Sequence, residues 1–168
     1  MSVLSITDTR QYLTFQLGEE VFALEVSHVR EILEFTTVAR VPKTPEYMRG
    51  VINLRGSVVP VLDMRLKFGL TKIEKTVNTC IIVVEVALEK ESTVVGALVD
   101  SVQEVFELEP DQIEAAPKIG TQLNTDFIMG MGKKDDSFII ILDIDKVFSS
   151  EELAVAEVTE DSRKAVNE

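Results

Sequence analysis

Short apolar runs of strand length, separated by turn residues, dominate the beginning of the chain. Residues Gln11 to Leu17 alternate, Gly18-Glu19-Glu20 predicts a turn, and Val21 to Val26 resumes the extended pattern. Two such runs around a glycine-containing turn are typical of a β-hairpin. A brief turn at Ser27-His28-Val29 then leads into another predicted strand, Arg30 to Phe35. Because helical periodicity is scarce, most backbone groups are expected to pair in sheets.

A second predicted hairpin lies further along the chain. It joins Val51-Ile52-Asn53-Leu54 to a strand from Val58 to Met64 through a turn at Arg55-Gly56. Pro60 lies inside the second of these strands and cannot donate a hydrogen bond to a ladder. The strand is therefore predicted to be an edge strand or to carry a bulge.

The second half of the sequence repeats the plan of the first. The aligned pairs are Val21 to Leu33 with Val94 to Phe106, Val59 to Phe68 with Ile139 to Phe148, and Gly50 with Gly130. This duplication predicts two related β-barrel subdomains, roughly residues 10–75 and 76–150. They are expected to pack together, because units of this size bury little apolar surface alone.

Helices are predicted at only two places. One is a turn from Arg65 to Phe68 that Gly69 ends, and the other is a helix from Ser150 to Val158 with a serine cap and acidic residues in its first turn. The tail from Glu151 to Glu168 carries six acidic and two basic residues. We expect the last few residues to be frayed.

Charge, cysteine content and hydropathy limit the class of protein. The chain carries 17 basic and 29 acidic residues, a net charge of −12, which disfavours binding to a phosphate backbone. The single cysteine, Cys80, begins the apolar run Cys80-Ile81-Ile82-Val83-Val84, where a buried thiol fits and no internal disulfide can form. No secretory signal and no apolar stretch of about 20 residues is visible, which favours a cytoplasmic protein.

Residues suited to catalysis or metal binding are few. The chain offers one histidine, His28, and one cysteine, whereas a zinc site needs several such ligands. The segment from Gly50 to Gly56 lacks the lysine and the glycine spacing of a phosphate-binding loop. We therefore predict no cofactor, no metal and no enzymatic activity.

Three aspartates leave one catalytic alternative open. Asp143 and Asp145 lie on one face of a predicted strand, as a paired-carboxylate hydrolase would require. Asp63 and Asp143, however, each follow a strand directly, where aspartate more often caps the next helical turn. A different alternative is a small-molecule-binding barrel. It requires a ligand-sized cavity, whereas side chains normally fill the interior of small barrels.

The segment from Val41 to Arg65 carries the most specific motif. Its Asn-Leu-Arg-Gly turn, Asn53 to Gly56, lies between apolar strands and is followed by Pro60-Val61-Leu62-Asp63. Together with Val29-Arg30-Glu31-Ile32 upstream, these residues resemble the signature of the chemotaxis coupling proteins, the CheW family. The resemblance covers residues 10–153 and leaves residues 154–168 as an acidic tail.

The resemblance implies a fold and a function. The expected fold is all-β, with two packed SH3-like five-stranded β-barrel subdomains, short helical turns and a C-terminal helix. The expected protein is a non-enzymatic adaptor that couples methyl-accepting chemotaxis receptors to the regulatory domain of the chemotaxis histidine kinase. It would be cytoplasmic, without inserting into the membrane, and recruited to membrane receptor arrays. A coupling protein of a non-flagellar chemosensory pathway is the alternative.

The resemblance also implies two kinds of binding residue. The receptor's helical hairpin tip is expected in an apolar groove between the subdomains, with polar contacts at its rim. The receptor-binding residues are then Leu13, Val26, Val29, Glu31, Ile32, Arg55 and Val99. The kinase-binding residues are Gly50 in the first subdomain and, in the second, the segment from Glu114 to Ile119. Arg55 at a hairpin tip would offer a planar guanidinium with five donors to a partner.

Overall fold

Strands dominate the structure, a computed structural model that describes residues 10–35, 38–72, 74–88, 91–115, 127–134 and 137–148. The strands are β1 (Arg10–Leu17), β2 (Glu20–Glu25), β3 (Val29–Glu34), β4 (Met48–Leu54), β5 (Ser57–Asp63), β6 (Cys80–Leu88), β7 (Glu91–Val99), β8 (Ser101–Leu108), β9 (Ile113–Glu114), β10 (Ile128–Lys134) and β11 (Ser137–Leu142). Two one-turn helices, α1 (Met64–Lys67) and α2 (Ile144–Val147), and 3₁₀ turns at Val26–His28 and Pro110–Gln112 complete these ranges. The helix predicted from Ser150 to Val158 lies outside the described residues.

The strands form two sheets. The first has the order β8-β1-β2-β11-β10-β9 and the second has the order β3-β6-β7-β5-β4. Neighbouring strands are antiparallel except for the β2–β11 and β5–β7 pairs, which are parallel. The all-β prediction with two related subdomains is confirmed. Among the described residues the ladders stay open rather than closing into cylinders, and the two-residue strand β9 makes the first sheet six-stranded instead of five-stranded.

The two halves of the chain exchange strands at equivalent crossings. β3 leaves β2 through the turn at Val26–His28 and pairs with β6 in the other sheet. β8 leaves β7 at Asp100 and pairs with β1. The second sheet is therefore built from residues 29–99, and the first from residues 10–25 and 101–142. The sheets do not follow the predicted boundary between residues 75 and 76.

Three apolar clusters hold the sheets. The largest combines residues of β1 and β2 with residues of β6 and β7, and it includes both helices. We call it the inter-sheet core; within it Phe15, Phe22 and Phe68 stack with centroid distances of 5.9 and 5.4 Å. Each of the other clusters belongs to a single sheet, with Tyr12 and Ile141 in the first and Val61 and Leu98 in the second. Each sheet thus wraps around its own small core, as in a barrel, and packs on the other through the opposite face.

Gly50 makes a bulge in β4 possible. The register of β4 against β5 shifts between Met48 and Gly50, and Gly50 has a φ of 148°. A Cβ atom at this position would overlap the carbonyl oxygen of Ala39 and a methyl group of Val38. The matching Gly130 also lies at a register shift, in β10 against β11. The duplication seen in the sequence therefore extends to the bulges.

The prediction of an edge strand around Pro60 is wrong, because β5 lies between β4 and β7. Pro60 pairs with Val51 of β4, and the pairing of β5 with β7 begins one residue later, at Val61. Pro60 therefore lies one residue before the β5–β7 ladder begins. The bulge lies in the neighbouring strand β4 rather than in β5.

A buried threonine side chain bridges an irregularity between β1 and β8 in the first sheet. The β1–β8 register shifts between Leu13 and Phe15, so Thr14 has no paired residue in β8, although it pairs with Ala23 of β2. The Thr14 hydroxyl donates to the carbonyl of Glu104 at 2.9 Å and accepts from the Glu104 amide at 3.0 Å. One buried side chain thereby replaces two ladder hydrogen bonds.

Candidate protein-interaction site

Arg55 lies at the tip of the β4–β5 hairpin. Its φ of 51° and the φ of 86° at Gly56 fit a two-residue type I′ turn. The Asn53 side-chain oxygen accepts a hydrogen bond from the Gly56 amide at 2.9 Å, which stabilises this turn. The Arg55 side chain, 76% exposed, donates through Nη2 to Glu31 Oε2 at 2.7 Å. The hairpin tip is thus tied to β3, while most of the guanidinium remains accessible.

Edge strand β3 presents apolar residues at the margin of the inter-sheet core. Val29 and Ile32 pair with β6 residues whose side chains belong to that core. Val26 and Val29 are partly buried against it, whereas Ile32 is 44% exposed. Glu31, whose carboxylate pairs with Arg55, directly precedes Ile32 along β3, so its side chain projects to the other side of this edge strand. We call Val26, Val29, Glu31, Ile32 and Arg55 together the β3 face. It combines accessible apolar surface with one exposed charged rim.

Two of the predicted groove residues lie below the surface. Leu13 is 3% exposed and Val99 is 0% exposed, and both belong to the inter-sheet core. In this structure they belong to the cluster against which Val26 and Val29 are partly buried. The alternating pattern of their strands is the same for a residue facing a groove and one facing a core, which explains why the sequence does not separate the two.

The predicted kinase-binding residues lie on different sheets. Gly50 is buried in β4 of the second sheet, with Val38 and Ala39 packed over it. Glu114 is exposed in β9 at the edge of the first sheet, where its Oε1 lies 2.8 Å from Lys133 Nζ. Ile119 lies outside the described residues. The structure therefore separates these positions onto two faces of the molecule.

A groove beside Gly50 was missed by the sequence analysis. It has a volume of about 530 Å³ and is lined by Phe35, Val38, Arg40, Glu46, Met48, Arg49, Leu66 and Lys72. We call it the basic groove, after its three cations. A signal was present in the sequence, because basic residues are concentrated between residues 40 and 75 of an otherwise acidic chain.

The aspartates proposed for hydrolysis make structural contacts. Asp63 is completely buried and caps α1, accepting hydrogen bonds from the Arg65 and Leu66 amides at 3.0 and 3.2 Å. Asp145 accepts from the Ala87 amide at 2.8 Å. Asp143 makes no side-chain cap and lies 3.9 Å from the Lys146 ammonium. The predicted capping role is confirmed at Asp63 and wrong at Asp143.

Two kinds of feature are absent from the described residues. No group of three or more histidine, cysteine, aspartate or glutamate side chains in this part of the chain is arranged to hold a metal ion. None of its helices is long and apolar enough to cross a membrane. The single histidine contacts the backbone carbonyl of Glu85 through Nδ1 at 3.2 Å, at the start of β3.

The comparison with protein families decides what kind of chain this is. The model of the CheW-like domain matches residues 11–152. The chain belongs to the CheW family. Curated relatives named chemotaxis protein CheW include that of Klebsiella aerogenes, 36% identical over 88% of this chain and 87% of that protein. Another is that of Bacillus subtilis, 33% identical over 83% of this chain and 86% of that protein.

A solved CheW structure agrees in fold. The chain is similar to the scaffolding protein TtCheW from Thermoanaerobacter tengcongensis, with a TM-score of 0.75 and 34% sequence identity. The match covers 85% of this chain and 90% of that one. The exchanged pair of sheets is therefore placed within the CheW fold, and the resemblance inferred from the Asn53–Gly56 motif is confirmed.

Proposed function

We propose that this chain is a non-enzymatic adaptor that couples methyl-accepting chemotaxis receptors to the chemotaxis histidine kinase. The observation that carries the proposal is the β3 face in a CheW family member. There the Glu31–Arg55 ion pair and the accessible side chain of Ile32 occupy consecutive positions of an edge strand. A small apolar surface with a charged rim is the usual composition of a site for a protein partner.

The receptor side of the proposal is a helix docked on the β3 face. Receptor hairpin tips are helical, and an amphipathic helix binds by laying its apolar stripe into a shallow apolar groove. Covering the exposed part of Ile32 contributes about 1 kcal/mol, with smaller contributions from Val26 and Val29. Arg55 then adds a charged contact that selects the partner's register more than it adds affinity.

The kinase side uses the two separated faces. In the second sheet, Val38 and Ala39 cover Gly50 and would supply the contact there, whereas Glu114 is exposed in the first sheet. One copy can therefore contact two different kinase regulatory domains. Two non-identical faces on one molecule make head-to-tail contacts, which close into rings when the rotation allows. Alternation of this chain with the kinase regulatory domain in such a ring would link receptor occupancy to kinase output through coupled binding equilibria. We place this assembly in the cytoplasm, at membrane receptor arrays.

The test is kinase autophosphorylation in a reconstituted mixture of receptor fragment, chemotaxis kinase and this chain. We expect kinase activity to respond to the receptor only when the chain is present. The variant Ile32→Asp should abolish this response, because it places a charge at the apolar contact. Val77→Asp is a matched control, since Val77 is 99% exposed in a turn between α1 and β6 and belongs to none of the predicted binding residues. A chain that binds neither receptor fragment nor kinase overturns the proposal.

A non-flagellar chemosensory pathway would use the same contacts. The receptor distinguishes the two, so pull-down with receptor fragments from each class of pathway is the measurement that separates them. Binding confined to receptors that control surface motility or gene expression would assign the alternative.

A further inference from the structure

The charge of the chain is unevenly distributed. Between residues 40 and 75 the sequence is basic, whereas the whole chain has a net charge of −12. The basic residues of this segment are Arg40, Lys43, Arg49, Arg55, Arg65, Lys67, Lys72 and Lys75, and its acidic residues are Glu46, Asp63 and Glu74. One region of an acidic protein therefore attracts anionic groups.

The basic groove lies in this region and has a mixed surface. Phe35, Met48 and Leu66 supply apolar surface, and Arg40 and Lys72 lie exposed at the edges. A smaller cleft of about 360 Å³ continues from it and adds Lys43. The surface suits an occupant that combines aliphatic and acidic side chains.

The cations of the groove are only partly neutralised. The Arg49 guanidinium lies 3.6 Å from the buried Asp63 carboxylate and 5.8 Å from the centre of the Phe35 ring. Arg40 and Lys72 form no ion pair with any other residue that the structure describes. Glu46 is the one acidic residue in the lining. A net positive groove remains for an anionic occupant.

We propose that the occupant is the acidic segment of this same chain from Glu151 to Asp161. Its sequence is Glu-Glu-Leu-Ala-Val-Ala-Glu-Val-Thr-Glu-Asp, in which an aliphatic run from Leu153 to Ala156 lies between carboxylates. Leu153, Val155 and Val158 match the apolar floor, and the glutamates match the cationic edges. The contact combines opposite charges with burial of apolar surface, and each contribution is modest for a partly exposed site.

The segment is long enough to reach the groove. The described chain ends at Phe148, which packs in the inter-sheet core together with Phe68, directly after α1. Leu66 of α1 lines the groove. Residues 149–161 span up to about 45 Å when extended, and about 27 Å with the predicted helix at residues 150–158. Both lengths exceed the radius of gyration of about 14 Å expected for a domain of this size. Because the tether is short, the effective concentration of the segment at the groove is in the millimolar range.

Docking of the segment would compete with the kinase. Val38 lines the basic groove and also packs over Gly50, so the groove and the proposed kinase face adjoin. This consequence rests on the proposed function, whereas the docking itself does not. Neutralising the segment should then raise the affinity for the kinase regulatory domain by about two- to tenfold.

The test is paramagnetic relaxation in the full chain. A nitroxide is attached to Ser162→Cys in a Cys80→Ala background, and amide signals are recorded at about 0.02 M NaCl, where charges are weakly screened. We expect the amides of Arg40, Arg49 and Lys72 to lose most of their intensity. The loss should disappear at about 0.5 M NaCl, where the Debye length is about 4 Å, and in the variant Glu157→Gln/Glu160→Gln/Asp161→Asn.

Two controls decide the outcome. Arg40→Gln/Lys72→Gln should abolish the broadening, and Arg30→Gln, which changes an exposed arginine outside the groove, should not. Broadening spread evenly over the surface, or centred on another face, overturns the proposal. In a further sample, chain that carries the spin label but no isotope is mixed with chain that carries the isotope but no spin label. Broadening in this mixture shows that a second copy supplies the segment, and that result also overturns the proposal. No receptor or kinase is present in this experiment, so its failure leaves the proposed function untouched. If the variant with the neutralised segment binds the kinase regulatory domain with unchanged affinity, only the proposed competition is overturned.

Discussion

The two halves of the molecule contain the same strand–strand–helix unit used in different ways. In the first unit, β4–β5–α1, the Asp63 amide donates to the Tyr47 carbonyl at 2.6 Å. In the second, β10–β11–α2, the Asp143 amide donates to the Phe127 carbonyl at 2.8 Å. Both units carry a bulge at the equivalent glycine. The backbone is conserved between the two units even where the side chains differ.

The side chains of the two units differ in charge and burial. The first unit has a charged and capped helix, with Lys67 lying 5.0 Å from the centre of the Tyr47 ring and 5.6 Å from that of Phe127. In the second unit the corresponding residue is Val147, which is fully buried in the inter-sheet core. The first unit thus presents polar groups at the surface, and the second contributes to packing. Arg55 and the groove residues Met48, Arg49 and Leu66 all belong to the first unit.

The largest expected difference between the units concerns their glycines. Gly50→Ala should lower the free energy of unfolding by about 3 kcal/mol or more, because the new Cβ overlaps backbone atoms of Ala39. Gly130 does not have a positive φ, so Gly130→Ala should cost less. Urea denaturation measures both. Equal losses would contradict the view that only the first bulge requires glycine for its conformation.

The capping aspartates should differ by a smaller amount. Asp63→Ala removes two cap hydrogen bonds and leaves Arg49 without its buried carboxylate, at an expected cost of about 2–4 kcal/mol. Asp143→Ala should cost less than about 1 kcal/mol, because Asp143 makes no side-chain cap. Thermal unfolding at pH 7 provides the measurement. If Asp143→Ala proved as damaging as Asp63→Ala, the two units would be equivalent in their caps.

The exposed charges should separate binding from stability. Arg55→Ala should change the free energy of unfolding by less than about 1 kcal/mol, since its ion pair is exposed. Receptor affinity should nevertheless fall by about five- to tenfold, the effect of losing one charge-assisted contact. Receptor-dependent control of the kinase should weaken accordingly. Lys133→Ala, in the second unit, also breaks an exposed pair and should leave receptor affinity unchanged. Normal receptor coupling in Arg55→Ala would show Arg55 to be only a turn residue.

The smallest expected effect is a pH dependence at Lys67. Burial lowers the pKa of the Lys67 ammonium below its usual 10.5. The unfolded chain then binds more protons than the folded chain between the lowered pKa and 10.5, so this residue makes stability rise with pH across that interval. Lys67→Met removes the contribution. Denaturant unfolding between about pH 8 and pH 10.5 should show a shallower rise, or a steeper fall, for the variant; parallel pH profiles would show that Lys67 is solvated like a surface lysine.

Part of the fold follows from local sequence and part does not. The hairpin from β4 to β5, its Arg55-Gly56 turn and the Asp63 cap were all predicted, because each depends on residues within a few positions. The exchange of β3 and β8 between the sheets was not predicted. The alternation of apolar and polar residues shows which face of a strand is buried but not which strand lies beside it. The neighbours of β3 and β8 therefore cannot be deduced from that pattern.

The candidate site divides in the same way. Arg55 at the hairpin tip was predicted, and its accessibility follows from the turn. The burial of Leu13 and Val99 depends on how the two sheets pack, and so does the partial exposure of Ile32. The basic groove unites Phe35 and Arg40 with Leu66 and Lys72, which are brought together only when α1 packs beside the loop before β4.

The sequence by itself determined the β4–β5 hairpin, its Arg55-Gly56 turn and the capping role of Asp63. These features depend on steric limits and hydrogen bonds between near neighbours. Only the tertiary structure decided which strands share a sheet, which aliphatic side chains stay accessible, and that Glu31 meets Arg55. Those outcomes depend on burying the opposite faces of two sheets against each other, and the free energy of that burial belongs to the whole chain rather than to any local segment.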